Sequence, residues 1–189
     1  MSLTLIIILA VLVVLALYAT AIYNNLVRLK HSVAKAWSNI DVSLKQRHDE
    51  LPKLVAVCKE YMQFEQATLE RVVRARGEVF SAQKRGDLRG LGNAETALRA
   101  GLGQLFALAE NYPDLKANQS FQQLSERISQ LEDTIADRRE LYNESANLNN
   151  IRLQQIPDLF VARLFAFQPV DLLEFKDARQ DIDIARLFA

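Results

Sequence analysis

The chain has 189 residues, half of them hydrophobic, and basic and acidic side chains in equal number, 23 each. That length suits one domain rather than two, and the balanced charge gives no reason to expect nucleic acid as a partner. The single cysteine, Cys58, excludes an intrachain disulfide and a cysteine-based metal cluster. Low Gly and Pro contents favour helix over sheet.

The first element is an apolar segment. From Leu3 to Ile22 only two Thr and one Tyr interrupt the apolar residues, and the first 22 positions carry no charged side chain. Twenty helical residues span about 30 Å, the thickness of a bilayer's hydrocarbon core. We therefore predict a single transmembrane anchor over residues 1–22, with the lipid bilayer as its partner.

Two alternatives to a retained anchor stay open. A cleaved signal peptide is favoured by the small-x-small run Ala19-Thr20-Ala21, but no Lys or Arg precedes the apolar stretch, and that stretch is unusually long. A buried core helix would need a domain large enough to cover it on every side. After the anchor, Arg28, Lys30 and Lys35 predict an N-terminus outside and a bundle in the cytoplasm, and can attract anionic lipid.

The remaining apolar residues recur at helical spacing. The steps from Leu26 to Leu44 predict that the anchor continues into a first helix, and Pro52 marks either its end or a kink in one long helix. A second helix is expected from Leu54 to about Lys84, and a turn near Gly86–Asn93 follows. A third helix then runs from Leu91 to Ala109, and Tyr112-Pro113 ends it.

The fourth predicted helix has the clearest pattern. Its apolar positions alternate in steps of three and four, as in a coiled-coil seam that Arg138 interrupts once. Ser120 is the expected N-cap, with Gln123 completing a capping box. The seam consists of Phe121, Leu124, Ile128, Leu131, Ile135, Arg138 and Tyr142.

After Pro157 a short segment rich in Phe and Leu extends to Phe167, and the tail that follows either is disordered or docks on the bundle. Four amphipathic helices bury their stripes most simply against one another, so we predict an all-α fold: an antiparallel bundle of about four helices over residues 23–167 and a tail over 168–189. The only period-two alternation is the brief Asp181–Ile184 run in that tail.

No residue pattern points to catalysis, so we predict a protein that is not an enzyme and has no cofactor or metal. His31 and His48 are too far apart on one helix to form a ligand pair, and Cys58 is best explained as a buried small hydrophobe. Polar residues beside apolar stripes are the remaining candidates, and they either pair between helices and fix their register or line a binding cleft. They are Asp41, Arg47, Glu65, Arg138 and Asn143, the first four forming the predicted structural polar network.

The stretch from Tyr23 to Arg76 resembles the LemA family of bacterial membrane proteins, most specifically in the run AWSNIDVSLKQRHDELPKLV. A second matching block contains Tyr142-Asn143, Pro157 and Ala162–Phe165 with Phe167. The chain departs from the family pattern where it has Leu148-Asn149 for a second Tyr-Asn and Ile156-Pro157 for Phe-Pro. Residues after Phe175 look like an extension peculiar to this chain.

The resemblance implies an N-terminal membrane helix and an antiparallel helical bundle in a bacterial inner membrane, with no enzymatic activity established for the family. It carries over no catalytic or ligand residues. The function we predict is a scaffold at the membrane that self-associates as a homo-oligomer or recruits a protein partner. The alternative is a sensory or ligand-binding module with a cleft around Asp41, Arg47, Glu65 and Arg138.

Overall fold

The computed structural model describes residues 3–175, and these form six α-helices with no β-strand among them. The all-α prediction is therefore confirmed. The helices are α1 Leu3–Tyr61, α2 Gln66–Arg85, α3 Leu88–Ala109, α4 Pro113–Ala117, α5 Gln119–Gln154 and α6 Asp158–Leu164.

Helix α1 runs without a break from Leu3 to Tyr61 and passes through Pro52. A proline has no N–H for the carbonyl four residues earlier, so the carbonyl of His48 loses its helical donor. The Nε of Arg76 on α2 donates to that oxygen at 2.9 Å and replaces the missing bond. Of the two alternatives at Pro52, one long helix is correct, and a helix end there is wrong.

Helix α1 ends instead at a turn over residues 62–65, which contains neither Gly nor Pro. Within this turn the N–H of Glu65 donates to the carbonyl of Met62 at 3.1 Å. The second helix predicted to begin near Leu54 is therefore wrong at its start, since Leu54 belongs to α1 and α2 begins at Gln66.

The N-terminal part of α1 is long and apolar enough to cross a membrane. Its large hydrophobic side chains from Leu3 to Tyr18 are all more than half exposed, whereas Ile22 and Leu26 are buried. A helix that is apolar on every side and not covered by protein fits a lipid environment. Length, composition and exposure thus agree with the predicted anchor.

The chain divides into two compact units, and α1 and α5 each contribute to both. The first unit contains the described residues 3–40 and 138–172, and the second contains 41–137 and 173–175. In the first unit, residues of α1, α5 and α6 form a small core. Its buried members are Ile22, Leu26, Leu153, Val161 and Ala162, with Tyr23 and Phe167 packed against them.

The second unit is a helical bundle built from residues 41–61 of α1, from α2 and α3, and from residues 119–137 of α5. Helices α2 and α3 are antiparallel neighbours joined by a turn in which Gly86 has a φ of 66°, a conformation that favours glycine. A Cβ at Gly101 on α3 would lie 3.4 Å from Val72 on α2, an ordinary van der Waals distance.

Helix α5 extends beyond both ends of the predicted seam, which is buried at Phe121, Ile128, Leu131, Ile135 and Tyr142. The expected N-cap, Ser120, is wrong. The side-chain oxygen of Asn118 accepts a hydrogen bond from the N–H of Phe121 at 3.1 Å instead, so the helix begins one residue before Ser120.

Residues 168–172, which belong to the first unit, are held by side chains of α5. The amide of Asn150 bonds both the N–H and the carbonyl of Val170, each at 2.8 Å. The hydroxyl of Tyr142 donates to the carbonyl of Asp171 at 2.9 Å. These bonds satisfy the backbone of a segment that has no regular secondary structure.

In the second unit, Leu173 is fully buried and the ring of Phe175 lies 5.8 Å from the guanidinium of Arg99. The described part of the predicted tail, residues 168–175, therefore docks. Residues 176–189, which include the Asp181–Ile184 alternation, lie outside the described part of the chain.

Candidate functional site

A buried ion-pair cluster links three helices of the second unit. The guanidinium of Arg47 on α1 donates to a carboxylate oxygen of Glu95 on α3 and to one of Glu132 on α5. Arg47 and Glu95 are 1% and 2% exposed. The Nε of Arg99 lies 3.4 Å from the second oxygen of Glu132, so this carboxylate has two cationic partners.

Burial opposes the charge on Arg47, but the carboxylates of Glu95 and Glu132 outweigh it, so the pKa of Arg47 lies above its ordinary value. Burial also raises the pKa of Glu95, and Arg47 opposes that rise. The charge on Glu95 therefore depends on Arg47. The planar guanidinium can meet its two carboxylates only in a narrow range of helix positions, so the cluster favours one register of α1, α3 and α5.

The four residues of the predicted polar network have different immediate surroundings. Asp41 accepts a hydrogen bond from the side-chain amide of Gln83 at 2.7 Å. Glu65 directly precedes α2 without a side-chain capping bond, and Arg138 donates to the backbone carbonyl of Asn39 at 2.6 Å. Arg47 is bonded to glutamates outside the predicted set, and a single network joining the four residues stays a prediction.

Sequence reasoning missed Glu95 and Glu132. A signal for Glu95 was present, because it lies between Leu91 and Leu98 at the spacing of a buried helical stripe. A charged residue at such a position needs a buried partner of opposite charge. Its partner Arg47 is 48 positions away, so no local pattern could pair them.

His48 lies in a second polar cluster between α1 and α2. Its ring stacks on Phe80 with centroids 4.5 Å apart, and an Nη of Arg76 lies 2.7 Å from its Nε2. A guanidinium has only donors, so Nε2 must accept, and His48 is neutral in this arrangement. Burial lowers the pKa of His48 and the charge of Arg76 lowers it further, while Asp49 opposes both.

Cys58 is buried, in agreement with its interpretation as a small packing residue. Burial raises the pKa of its thiol to about 11, which keeps it protonated and unreactive at neutral pH. Among residues 3–175, no group of three or more His, Cys, Asp and Glu side chains is placed to hold a metal ion.

A cavity lies where α1 ends and α2 begins, and we call it the α1–α2 groove. Its volume is about 910 Å³, and its floor includes the buried Met62 and Leu69. Phe64 in the turn is 95% exposed beside it. The groove is lined by Lys59, Met62, Gln63, Phe64, Gln66, Leu69, Glu70, Val73 and Arg74, so none of the four predicted network residues contributes.

The helical fold and the exposed apolar part of α1 define a membrane-associated helical protein. The sequence profile of the LemA family matches residues 36–185. The chain therefore belongs to the LemA family, as the resemblance predicted. Since the match extends to residue 185, the idea that residues after Phe175 are an extension peculiar to this chain is wrong.

Three curated relatives are similar over most of the chain. Magnetosome protein MamQ 2 of Paramagnetospirillum magneticum is 25% identical over 196 residues, covering 90% of this chain and 72% of its own. Magnetosome protein MamQ of Magnetospirillum gryphiswaldense is 25% identical, with coverages of 82% and 66%. Protein LemA of Metamycoplasma hominis is 28% identical, with coverages of 87% and 74%.

Proposed function

We propose that this protein is a membrane-anchored scaffold whose second unit self-associates through the α1–α2 groove. Residues Leu3–Ile22 cross the bacterial inner membrane once and hold the chain there. The observation that carries the proposal is that one surface patch contains both an exposed aromatic ring, Phe64, and a partly apolar groove large enough to receive such a ring.

A patch with both a projection and a recess can pair with a second copy of itself. In a twofold arrangement the same surface faces its symmetry mate, so Phe64 of each copy enters the groove of the other. Buried aromatic residues commonly dominate the energy of such contacts. The rim has both signs of charge, with Lys59 and Arg74 opposing Glu70, so two copies can pair charges across the contact.

Membrane anchoring strengthens this kind of contact. Confinement by the anchor raises the effective concentration of one copy around another, so a small and individually weak interface can assemble. The exposed apolar residues from Leu3 to Tyr18 support this step, because they give the chain a surface suited to lipid. Binding of a different protein in the same groove is the alternative that the test must distinguish from self-association.

The proposed orientation places the N-terminus outside and all of the chain after Ile22 in the cytoplasm. Arg28, Lys30 and Lys35 are exposed soon after the apolar run, and cytoplasmic flanks are enriched in such charges. Protease added to intact spheroplasts should leave the bundle uncut, and protease added after lysis should cut it. Digestion of the bundle in intact spheroplasts would overturn this orientation.

Crosslinking of the full-length protein in phospholipid vesicles tests the scaffold. The variant Phe64→Ser should lose the crosslinked dimer that the wild type forms. Val42→Ser is the matched control, because Val42 is another exposed apolar residue of the second unit and does not line the groove. A monomeric wild type, or a Phe64→Ser protein that crosslinks like the wild type, would contradict self-association.

A sensory or ligand-binding role is the second candidate, supported by the groove volume, which falls within the range of about 300–1,000 Å³ typical of small-molecule sites. Lys59 and Arg74 suit an anionic group, and the apolar residues of the groove suit a hydrocarbon chain. Decanoate has both, so it is the probe for calorimetry on the full chain. Stoichiometric binding that Val73→Asp abolishes, without crosslinked dimers, would favour this role over the scaffold.

A further inference from the structure

The turn before α6, α6 itself and the residue after it carry large apolar side chains that the protein leaves uncovered. Ile156, Phe160, Leu164 and Phe165 are all more than half exposed, and Leu164 reaches 78%. These four residues lie within ten positions of the chain, and we call them the α6 patch. Patches of this kind mark contact with a membrane or with another protein.

Helix α6 has two distinct faces. Val161 and Ala162 are buried in the core of the first unit, while Phe160 and Leu164, four residues apart, lie on the outward face. The acidic residue of the helix, Asp158, is buried and lies 3.0 Å from the Nε of Arg152. The outward face therefore presents apolar side chains without an acidic group.

The patch lies beside the end of the predicted membrane anchor. Tyr23 directly follows the apolar run, and its ring centroid lies 4.6 Å from that of Phe165 and 5.9 Å from that of Phe167. Because the apolar run ends where the hydrocarbon core ends, Tyr23 falls at the interface between lipid and water, where tyrosine is favoured. Phe165 must then lie at the same level.

We infer that α6, together with Ile156 and Phe165, is a second membrane contact that inserts its apolar face into the lipid interface beside the anchor. The inference rests on the proposed function, because it requires Leu3–Ile22 to span the bilayer. Interfacial helices bury their apolar face about 5–10 Å into the boundary between headgroups and acyl chains. Only the outward side chains of α6 need to reach that depth.

Lipid explains the patch better than a protein partner does. The patch adjoins the exposed apolar surface of α1 through Tyr23, so both surfaces can share one lipid environment. The exposed charge on α6 itself is Arg163, and Arg28 is exposed near the anchor's end. Cations at this level favour the phosphate groups of anionic lipids.

A fluorescent probe tests the inference on the full chain in vesicles of phosphatidylcholine and phosphatidylglycerol. Cys58→Ala removes the native thiol, and Leu164→Cys then carries an NBD label on the patch. Leu141→Cys is the matched control, because Leu141 is also exposed in the first unit. Its neighbour Tyr142 contacts Trp37, about 21 Å along α1 from Tyr23 at the helical rise.

The label at position 164 should shift to shorter emission wavelength in vesicles and lose most of its intensity to lipids with a doxyl group near the headgroup. The label at position 141 should instead be quenched by aqueous iodide. Equal iodide quenching at both positions would overturn the inference, and shielding of position 164 from both quenchers would assign the patch to a protein contact. Failure of the protein to float with vesicles after carbonate washing would overturn the anchor itself.

Discussion

In the first unit large apolar side chains lie at the surface, while in the second unit charged side chains lie in the interior. The exposed residues of the first unit follow α1 from Leu3 to Tyr18 and recur around α6. The second unit buries Arg47 and Glu95 almost completely. The exposed apolar side chains of the first unit therefore suit a lipid environment, and the buried charges of the second unit require internal pairing.

One polar site in each unit shows two different uses of hydrogen bonds. In the first unit, neutral side chains such as Asn150 and Tyr142 bond the backbone of an extended segment. In the second unit, the guanidinium of Arg47 bonds side chains of two other helices. Removing one group should therefore loosen a segment locally in the first unit but destabilise several helices together in the second.

The largest effect is expected for Arg47→Met. It leaves Glu95 buried without its cation, so the free energy of unfolding should fall by about 3–5 kcal/mol. Urea denaturation of the full chain in mild detergent measures this. Lys53→Met is the control, because Lys53 and Glu50 form an exposed pair at 3.0 Å whose loss should change stability by at most about 1 kcal/mol.

The pH dependence of the Arg47→Met effect gives a further check. Burial already raises the pKa of Glu95, and loss of Arg47 removes a group that opposes the rise. A raised pKa in the folded state means that stability is lost as pH rises, so the destabilisation should be larger near about pH 7.5 than near about pH 5. An effect of equal size at both values would contradict the assignment of Glu95 as the unpaired charge.

The second prediction concerns Arg76 and Pro52. Arg76→Met should lower the free energy of unfolding by about 1–2 kcal/mol, because the carbonyl of His48 then lacks a donor. In a Pro52→Ala background the restored backbone N–H should serve that carbonyl, so Arg76→Met should cost less. A double-mutant cycle measures the difference, and a coupling energy of zero would show that Arg76 does not compensate for the proline.

The Arg47 cluster and the contact between Arg76 and the carbonyl before Pro52 also indicate how much of the structure can be predicted from the sequence. The apolar N-terminal helix, the all-α fold and the buried α5 seam follow from local composition and periodicity, which the chain presents within single helices. The rule that proline ends a helix failed at Pro52 because a side chain from another helix, Arg76, supplies the missing bond. The actual end of α1 lies in a turn without Gly or Pro, so it gave no signal.

The candidate site was less predictable than the fold. Arg47 could be singled out because it is a charged residue near an apolar stripe, but Glu95 and Glu132 are 48 and 85 positions away. The α1–α2 groove depends on how the ends of two helices diverge, which no periodicity encodes. Phe64 belongs to no helical stripe, so its exposure became apparent only from the position of the turn.

A pair of glycines on α3 gives the third prediction. An added Cβ at Gly92 would overlap the carbonyl oxygen of Glu174, so Gly92→Ala should lower the free energy of unfolding by about 1–3 kcal/mol. A Cβ at Gly103 meets nothing within 4 Å, so Gly103→Ala should raise stability by about 0.5–1 kcal/mol. Thermal or urea unfolding that gives both variants the same sign would contradict the docking of residues 173–175.

The fourth prediction tests the local character of the first unit. Asn150→Ala removes two bonds to Val170 and should destabilise that attachment by about 1–2 kcal/mol. Hydrogen exchange at the amide of Val170 should accelerate while exchange in α2 and α3 stays unchanged. Ser145→Ala on the same helix is the control, because the hydroxyl of Ser145 donates to the carbonyl of Leu141 within α5 itself. Faster exchange throughout α2 and α3 would contradict a local effect.

The smallest effect concerns His48. Its pKa is lowered by burial and by Arg76, so the folded state favours neutral His48. A group whose folded pKa lies below its unfolded value contributes stability that is present above the unfolded pKa of about 6.5 and is lost as pH falls through the folded pKa. Acidification from about pH 7.5 to about pH 5.5 should therefore destabilise the second unit slightly.

His48→Gln removes the titrating group, so the wild type should lose more stability than this variant over the same pH interval. The physical cause is specific: protonated His48 would place a positive charge beside the guanidinium of Arg76, whose Nη bonds Nε2 at 2.7 Å. Lys84 lies over the other partner of His48, the ring of Phe80, and adds a third positive charge to the cluster. Asp49 is the group that opposes these positive charges. If the stability of the two proteins changes equally with pH, the prediction is wrong. Either His48 stays neutral throughout or Asp49 offsets both cations.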